Sequence, residues 1–143
     1  VFGQKDYQQT LVIKRLVSDL NLDVKITVKP TIRETEGLAM SSRNVYLSED
    51  QRVQSLVISQ AITNAIEAVQ NGERSREQLN TILKTTLLTI ENIEIDYCSA
   101  ANAESLEEPE LFSENESIVF LVAVKIGNTR LIDNAVWNPH SNN

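Results

Sequence analysis

The sequence predicts an α/β unit joined to an α+β domain, and three observations predict it. A strand end, a helix and a second strand succeed one another before Pro30, two amphipathic helices fill the middle, and the last third reads as strands around one almost unbroken apolar run. Strand, helix, strand is the unit of a parallel sheet, whereas helices followed by neighbouring strands imply an α+β domain with an antiparallel sheet. With 143 residues, 41% of them hydrophobic, the chain can build one modest core and a fragment of a second.

The chain opens on Val1-Phe2-Gly3 with neither an initiator Met nor a polar lead-in. These residues read as the end of a buried strand, so a truncated or cleaved product is expected. Ile13, Leu16, Val17 and Leu20 follow the i, i+3, i+4, i+7 spacing of a helix over residues 6–21, with Asp6 as its N-cap. Asp23 to Val28 alternates polar and apolar before Pro30, as a short strand closed by a breaker does. This unit has too little sheet to cover its own helix, so it is expected to belong to a larger parallel sheet whose other strands precede Val1.

Residues 31–47 are polar and without periodicity, as a functional loop or hinge would be. Ser48 and Gln51 form a capping box that opens a helix running to about Gln70, and Asn71-Gly72 ends it. Its apolar face comprises Val53, Leu56, Val57, Ala61, Ile62, Ala65, Ile66 and Val69. Ser75 caps a second helix with Leu79, Ile82, Leu83, Leu87 and Ile90 on one face. Ile93, Ile95 and Tyr97 alternate with Glu94, Asp96 and Cys98, which predicts a half-buried strand. Residues 118–126 are nearly all apolar and predict a central strand covered on both faces; Gly127-Asn128 then turns into the antiparallel strand Thr129–Val136. The acidic stretch Glu104–Glu116 reads as a solvated loop.

Thirteen Lys and Arg against twenty Asp and Glu give a net charge of -7, and no basic stripe interrupts it, so nucleic acid is not an expected partner. One Cys and one His permit neither an internal disulfide nor a metal cluster, and a reducing cytoplasm fits. No apolar run approaches the roughly 20 residues that span a bilayer, so no membrane association is expected.

Two constellations could carry chemistry. In the first, Gly3, Lys5, Asp6 and Gln9 gather at a strand-to-helix junction, the edge where ligands bind a doubly wound sheet. Gly3 lets a ligand approach the backbone, Lys5 offers a charge to phosphate, and the helix N-terminus adds free amides. Asp6 could accept from ribose hydroxyls, and Gln9 lies one turn beyond Lys5. A turn with a solvated Lys and a plain N-cap explains the same spacing and, on spacing alone, has the stronger case. In the second, residues 37–44 place Ser41, Ser42 and Arg43 in one polar loop. A guanidinium and adjacent hydroxyls suit phosphate oxygens and stabilise a departing pyrophosphate. An ordinary Ser-rich linker has the same composition.

Taken together, Phe2-Gly-Gln-Lys-Asp-Tyr-Gln-Gln9, Leu11 to Leu22 and Ile32-Arg-Glu-Thr-Glu-Gly-Leu-Ala-Met-Ser-Ser-Arg-Asn-Val-Tyr-Leu47 resemble the pantothenate synthetase (pantoate–β-alanine ligase) family in order and spacing. The closing Thr129-Arg-Leu-Ile-Asp-Asn134 is similar to the family's last strand, so the likeness covers nearly the whole chain. The resemblance implies an adenylate-forming ligase of the nucleotidyltransferase superfamily that uses ATP with Mg2+, pantoate and β-alanine, through pantoyl adenylate. It implies that residues 1–32 end a Rossmann-like ATP- and pantoate-binding domain and that 33–143 form an α+β lid domain. It also implies Lys5, Ser41, Ser42 and Arg43 as catalytic residues. Gly3, Lys5, Asp6, Ile32, Met40, Ser41, Ser42 and Arg43 would bind ATP, and Gln9 pantoate. Met40 to Arg43 stands where the superfamily has its KMSKS-type loop, with Ala39 in place of that motif's first Lys and Arg43 in place of its second. The family's histidine motif would lie before Val1, so this chain is expected to be inactive alone. The full-length parent is expected to be a cytoplasmic homodimer. The alternative is a non-catalytic interaction module derived from the same lid, but such a descendant has no need to keep Lys5, Ser41, Ser42 and Arg43 together. An RNA-binding appendage conflicts with the acidic balance and the lack of aromatic platforms.

Of the remaining residues, Cys98 is expected to be a buried structural thiol and His140 to be solvated. Trp137 is expected to close an edge of the core, and the Asn115 sequon is read as chance. For Arg33 and Glu34, a hinge salt bridge and a ligand contact stay equally open.

Overall fold

A computed structural model describes residues 2–21, 23, 27–29, 31–33, 38–39, 44 and 46–140. Strand β1 (Phe2–Gly3) pairs in parallel with β2 (Val28–Lys29), Phe2 opposite Val28 and Gly3 opposite Lys29. Helix α1 (Tyr7–Asp19) connects them, so the expected strand-helix-strand unit is present. The first half of the expected second strand lies largely outside the described residues.

Two expectations for α1 need correction. Asp6 stands at the N-cap, but its side chain makes no capping hydrogen bond. A 3-10 turn over Gln4–Asp6 precedes the helix, and it leaves Asp6 at φ -92°, ψ 61°, outside the extended conformation from which a cap reaches back to the first turn. The expected apolar face is also only half covered. Ile13 and Val17 are half-buried, while Leu16 and Leu20 are 48% and 60% exposed. Two strands of two residues each offer too little surface to cover that stripe. Asn21 ends the helix in the left-handed region at φ 51°.

Helix α2 (Glu49–Gln70) begins with the expected capping box: the Gln51 amide donates to Ser48 Oγ and the Ser48 amide to Gln51 Oε1, both at 3.1 Å. It stops at Asn71 and Gly72, the latter at φ 102°. Helix α3 (Arg76–Leu87) is capped by Ser75 and buries Leu79, Leu83 and Leu87 completely. Ala61 and Ala65 of α2 are equally buried, and small side chains there let helix and sheet approach closely. Val53, expected on the buried face of α2, is 69% exposed, while Ile58 is buried in its stead. The buried arc is centred on Ala61 and Ala65, and Val53 falls off its edge.

The antiparallel sheet has the order β3 (Ile93–Asn102), β4 (Ile118–Ile126), β5 (Thr129–Trp137), with Gly127-Asn128 as the two-residue turn between the last two. As expected, β4 is central and covered on both faces. Ile118, Phe120, Val122, Val124 and Ile126 meet α2 and α3 in the main core, while Val119 and Leu121 join Ala101 and Ala103 in a second cluster under Tyr7, Leu106 and Val136. The first turn of α1 thus roofs the far side of the sheet.

The expected alternation along β3 breaks at a bulge. Ile95 opposes Val124 and Tyr97 opposes Ala123, so Asp96 is the extra residue. Beyond it the faces exchange: Ile93, Ile95, Cys98 and Ala100 share the main core, and Tyr97 leaves the side of Ile93 and Ile95. The acidic stretch 104–116 is largely exposed, yet it is more than a solvated loop. Phe112 is buried in the core, and backbone bonds from Phe112 to Arg74 and from Arg76 to Glu110 tie the loop to the start of α3. Trp137 packs against the core edge under the Arg74 guanidinium, 4.9 Å from its ring centre. Among the described residues no helix is long and apolar enough to cross a membrane.

The turn at Gly127 touches the capping box. Gly127 has φ 60°, and a Cβ there would lie 2.5 Å from Gln51 Nε2. Gly127→Ala therefore combines left-handed strain of about 1–2 kcal/mol with displacement of the Gln51 side chain. Urea unfolding of Gly127→Ala should show a smaller loss of stability in a Gln51→Ala background than in the native one; equal losses would mean that strain alone accounts for the effect.

Candidate functional site

The 3-10 turn that displaces Asp6 from capping also shapes a cleft. Chain direction reverses from β1 into α1 within Gln4–Asp6, so Lys5, Asp6 and Gln9 come to one rim. The opposite rim is the far face and edge of the antiparallel sheet, contributing Tyr97, Leu121, Ile132, Asp133 and Asn134. The cleft has a volume of about 420 Å³. Tyr97 reaches this rim because of the Asp96 bulge.

Tyr7 holds the two rims together. Its ring packs against the Val119–Leu121 cluster and its hydroxyl donates to the Ala103 carbonyl. Burial, with Glu104 adding to it, pushes the Tyr7 phenol above its ordinary pKa, so it stays a donor. Asn134, only 2% exposed, donates its amide hydrogens to the carbonyls of Gln4 at 3.0 Å and Lys5 at 2.9 Å. Beside it, the buried Asp133 takes a bidentate pair from Arg33 at 2.6 and 2.9 Å and accepts from the Asn134 amide at 2.7 Å. The hydrogen bond to Asp133 raises the Arg33 guanidinium pKa, so the guanidinium stays charged. For Arg33 the salt bridge is what forms; Glu34 lies outside the described residues.

The cleft thus brings together Lys5, Asp6 and Gln9. Gly3 ends β1 at the same junction, paired with Lys29. Ile32 is 70% exposed on the segment that follows β2. Met40, Ser41, Ser42 and Arg43 lie outside the described residues. Their neighbours Ala39 and Asn44 are buried, and Asn44 Nδ2 donates to the Ala39 carbonyl at 3.1 Å. Sequence reasoning missed Tyr7, Tyr97, Asp133 and Asn134 as parts of this site. Two successive polar residues between the apolar pairs Leu131-Ile132 and Ala135-Val136 were the available signal for the last two, because buried polar groups need specific partners.

Chemically, the rim at α1 offers a Lys cation, the positive end of a helix dipole and a carboxylate that the helix end does not engage. A polyanion carrying hydroxyl groups suits that set.

The sequence profile of one family, pantoate-beta-alanine ligase, matches residues 1–136. The chain is 42% identical over 135 residues to a pantothenate synthetase of Acetivibrio thermocellus, covering 94% of the chain and 47% of that protein. It is 46% identical, with the same coverage, to one of Pelotomaculum thermopropionicum. Among solved structures, a pantothenate synthetase from Thermus thermophilus superposes with a TM-score of 0.84 at 35% identity, over 94% of this chain and 48% of that one. A pantoate-beta-alanine ligase from Francisella tularensis, complexed with beta-gamma ATP and beta-alanine, superposes with a TM-score of 0.51 at 27% identity, over 98% and 43% of the two chains. The chain spans about half the length of the relatives it matches.

Away from the cleft, Cys98 is half-buried against the main core. Burial raises its thiol pKa and the nearby Lys84 offsets this only in part. A raised pKa lowers the thiolate fraction at any given pH. Alkylation by iodoacetamide at pH 8 should be severalfold slower in the folded chain than in urea, a gap that closes as pH rises; equal rates would contradict a packed, unreactive thiol.

Proposed function

Because the chain belongs to the pantoate-beta-alanine ligase family, we propose that it supplies the carboxyl-terminal half of an ATP-dependent enzyme that joins pantoate to β-alanine. The observation that carries this reading is the cleft in which Lys5, Asp6 and Gln9 share one rim at the N-terminus of α1. The Francisella ligase complexed with a nucleotide and β-alanine supports the same ligands here. In this reading residues 1–32 end a Rossmann-like domain, and residues 33–143 are a lid carrying the loop 37–44. The exposed Val12, Leu16 and Leu20 of α1 fit a helix whose outer stripe is covered by the rest of the parallel sheet.

A carboxylate oxygen of pantoate attacks the α-phosphorus of ATP, the bond to the bridging oxygen breaks, and pyrophosphate leaves. The β-alanine amine then attacks the acyl carbon of pantoyl adenylate and releases AMP. Both steps depend on position and on stabilising charge that moves onto phosphate oxygens. Lys5 and the N-terminal end of α1 would meet the phosphates. Asp6 would accept from the ribose hydroxyls, Gln9 would bond pantoate, and Gly3 would allow close approach. Ser41, Ser42 and Arg43 would close on the phosphates from the lid, with Ile32 and Met40 against adenine. Magnesium would arrive on the triphosphate.

In the full-length ligase, Lys5→Ala should lower the rate of pantoate-dependent pyrophosphate release by roughly 10²–10³-fold. Arg43→Ala should slow adenylate formation far more than it weakens pantoate binding. A Lys5→Ala enzyme at the native rate would remove Lys5 from the reaction, and equal losses of rate and binding in Arg43→Ala would contradict its assignment. The 143-residue chain by itself should release no pyrophosphate, because one wall of a cleft does not position two substrates. Measured release would refute that dependence.

A further inference from the structure

The dipeptide Asp133-Asn134 holds both ends of the strand-helix-strand unit. Successive residues of a strand diverge, so the two side chains grip different segments. Asn134 grips the entrance, donating to the Gln4 and Lys5 carbonyls at 3.0 and 2.9 Å, while the Gln4 side-chain Nε2 lies 3.5 Å from its Oδ1. Asp133 grips the exit through the bidentate pair with Arg33. The grips are linked, since Asp133 accepts from the Asn134 amide and Arg33 Nη2 lies 3.3 Å from the Asn134 carbonyl. Both residues are nearly fully buried, at 4% and 2% exposure, so water competes little for these bonds.

We propose that Asn134 is a positioning residue for the adenylation step, setting the direction of the Lys5 side chain by fixing the peptide planes on either side of it. The proposal rests on the ligase reading for its effect on rate, but the grip itself does not. One carboxamide that donates to two consecutive carbonyls fixes the orientation of both, and with them the direction in which the intervening Cα–Cβ bond leaves the backbone. An isosteric carboxylate has no hydrogen to donate and would face two carbonyl oxygens. Asn134→Asp therefore releases the Lys5 backbone while keeping the volume of the side chain. Displacement of a charge-bearing group by about 1 Å costs up to roughly 100-fold in rate.

The test is a double-mutant cycle in the full-length ligase with Asn134→Asp, Lys5→Ala and both together, assayed by pantoate-dependent pyrophosphate release. The expected result is a fall in kcat of roughly 10- to 100-fold for Asn134→Asp, with KM for pantoate nearly unchanged and no further fall in the Lys5→Ala background. The same fall in both backgrounds would make Asn134 merely structural and overturn the proposal, as would a native kcat. Should Asn134→Asp not fold, Asn134→Ser, which keeps one donor, takes its place in the cycle. Amide hydrogen exchange of residues 5–7 in the 143-residue chain reads the grip without any activity: Asn134→Asp should accelerate it about tenfold. Unchanged exchange overturns the grip, whereas accelerated exchange in a chain whose full-length parent makes no adenylate would reject only the ligase reading.

Discussion

Strand β4 carries apolar side chains on both faces, and both must be kept from water. Helices α2 and α3 cover the first face with Val57, Ala61, Leu79, Leu83 and their neighbours. Among the described residues, the beginning of α1 and the loop around Leu106 cover the second. Tyr7 therefore has to lie against Val119 and Leu121, which brings the whole β1-to-α1 junction down onto the sheet. The cleft that carries Lys5, Asp6 and Gln9 is a consequence of this second covering, because the first turn of a helix cannot fill the concavity of a three-stranded sheet.

Where the junction meets the sheet edge, the half-buried Gln4 and Lys5 turn their backbone carbonyls to the buried Asn134. Buried carbonyls without partners cost more than the hydrogen bonds return, so the edge strand supplies donors. Asn134 does so for Gln4 and Lys5, and Asp133 adds a charge that Arg33 neutralises. The buried polar pair of β5 is thus explained by what lies over it. The same physics accounts for Asn80, whose side chain accepts from the Ala100 amide on the outer strand β3.

The bulge at Asp96 has a comparable logic. An even alternation would keep Tyr97 with Ile93 and Ile95, in a core already filled by Phe120, Leu83 and Leu87. One extra residue moves Tyr97 to the cleft rim and seats the smaller Cys98 against the helices. Side chains that pack poorly on one face thereby become a wall on the other.

Local chemistry alone determined much of this protein. The Ser48–Gln51 box, the Ser75 cap, the stop at Asn71-Gly72, the hairpin turn at Gly127-Asn128 and the double-sided burial of β4 all follow from interactions between residues close in sequence or from unbroken apolarity. The wording around Gly3 to Gln9 and Met40 to Arg43 likewise points to the family without any reference to the fold. What only the tertiary structure decided were the parity of β3 beyond Asp96, the exposure of Leu16 and Val53, the burial of Phe112 and the pairing of Arg33 with Asp133. Each depends on what the fold does or does not bring over the residue from elsewhere in the chain, about 100 residues away for Arg33, and sequence periodicity carries no record of such distances. Asp6 shows the same division within a single residue: its type suits an N-cap, but the 3-10 turn that the junction imposes withholds the backbone geometry a cap requires.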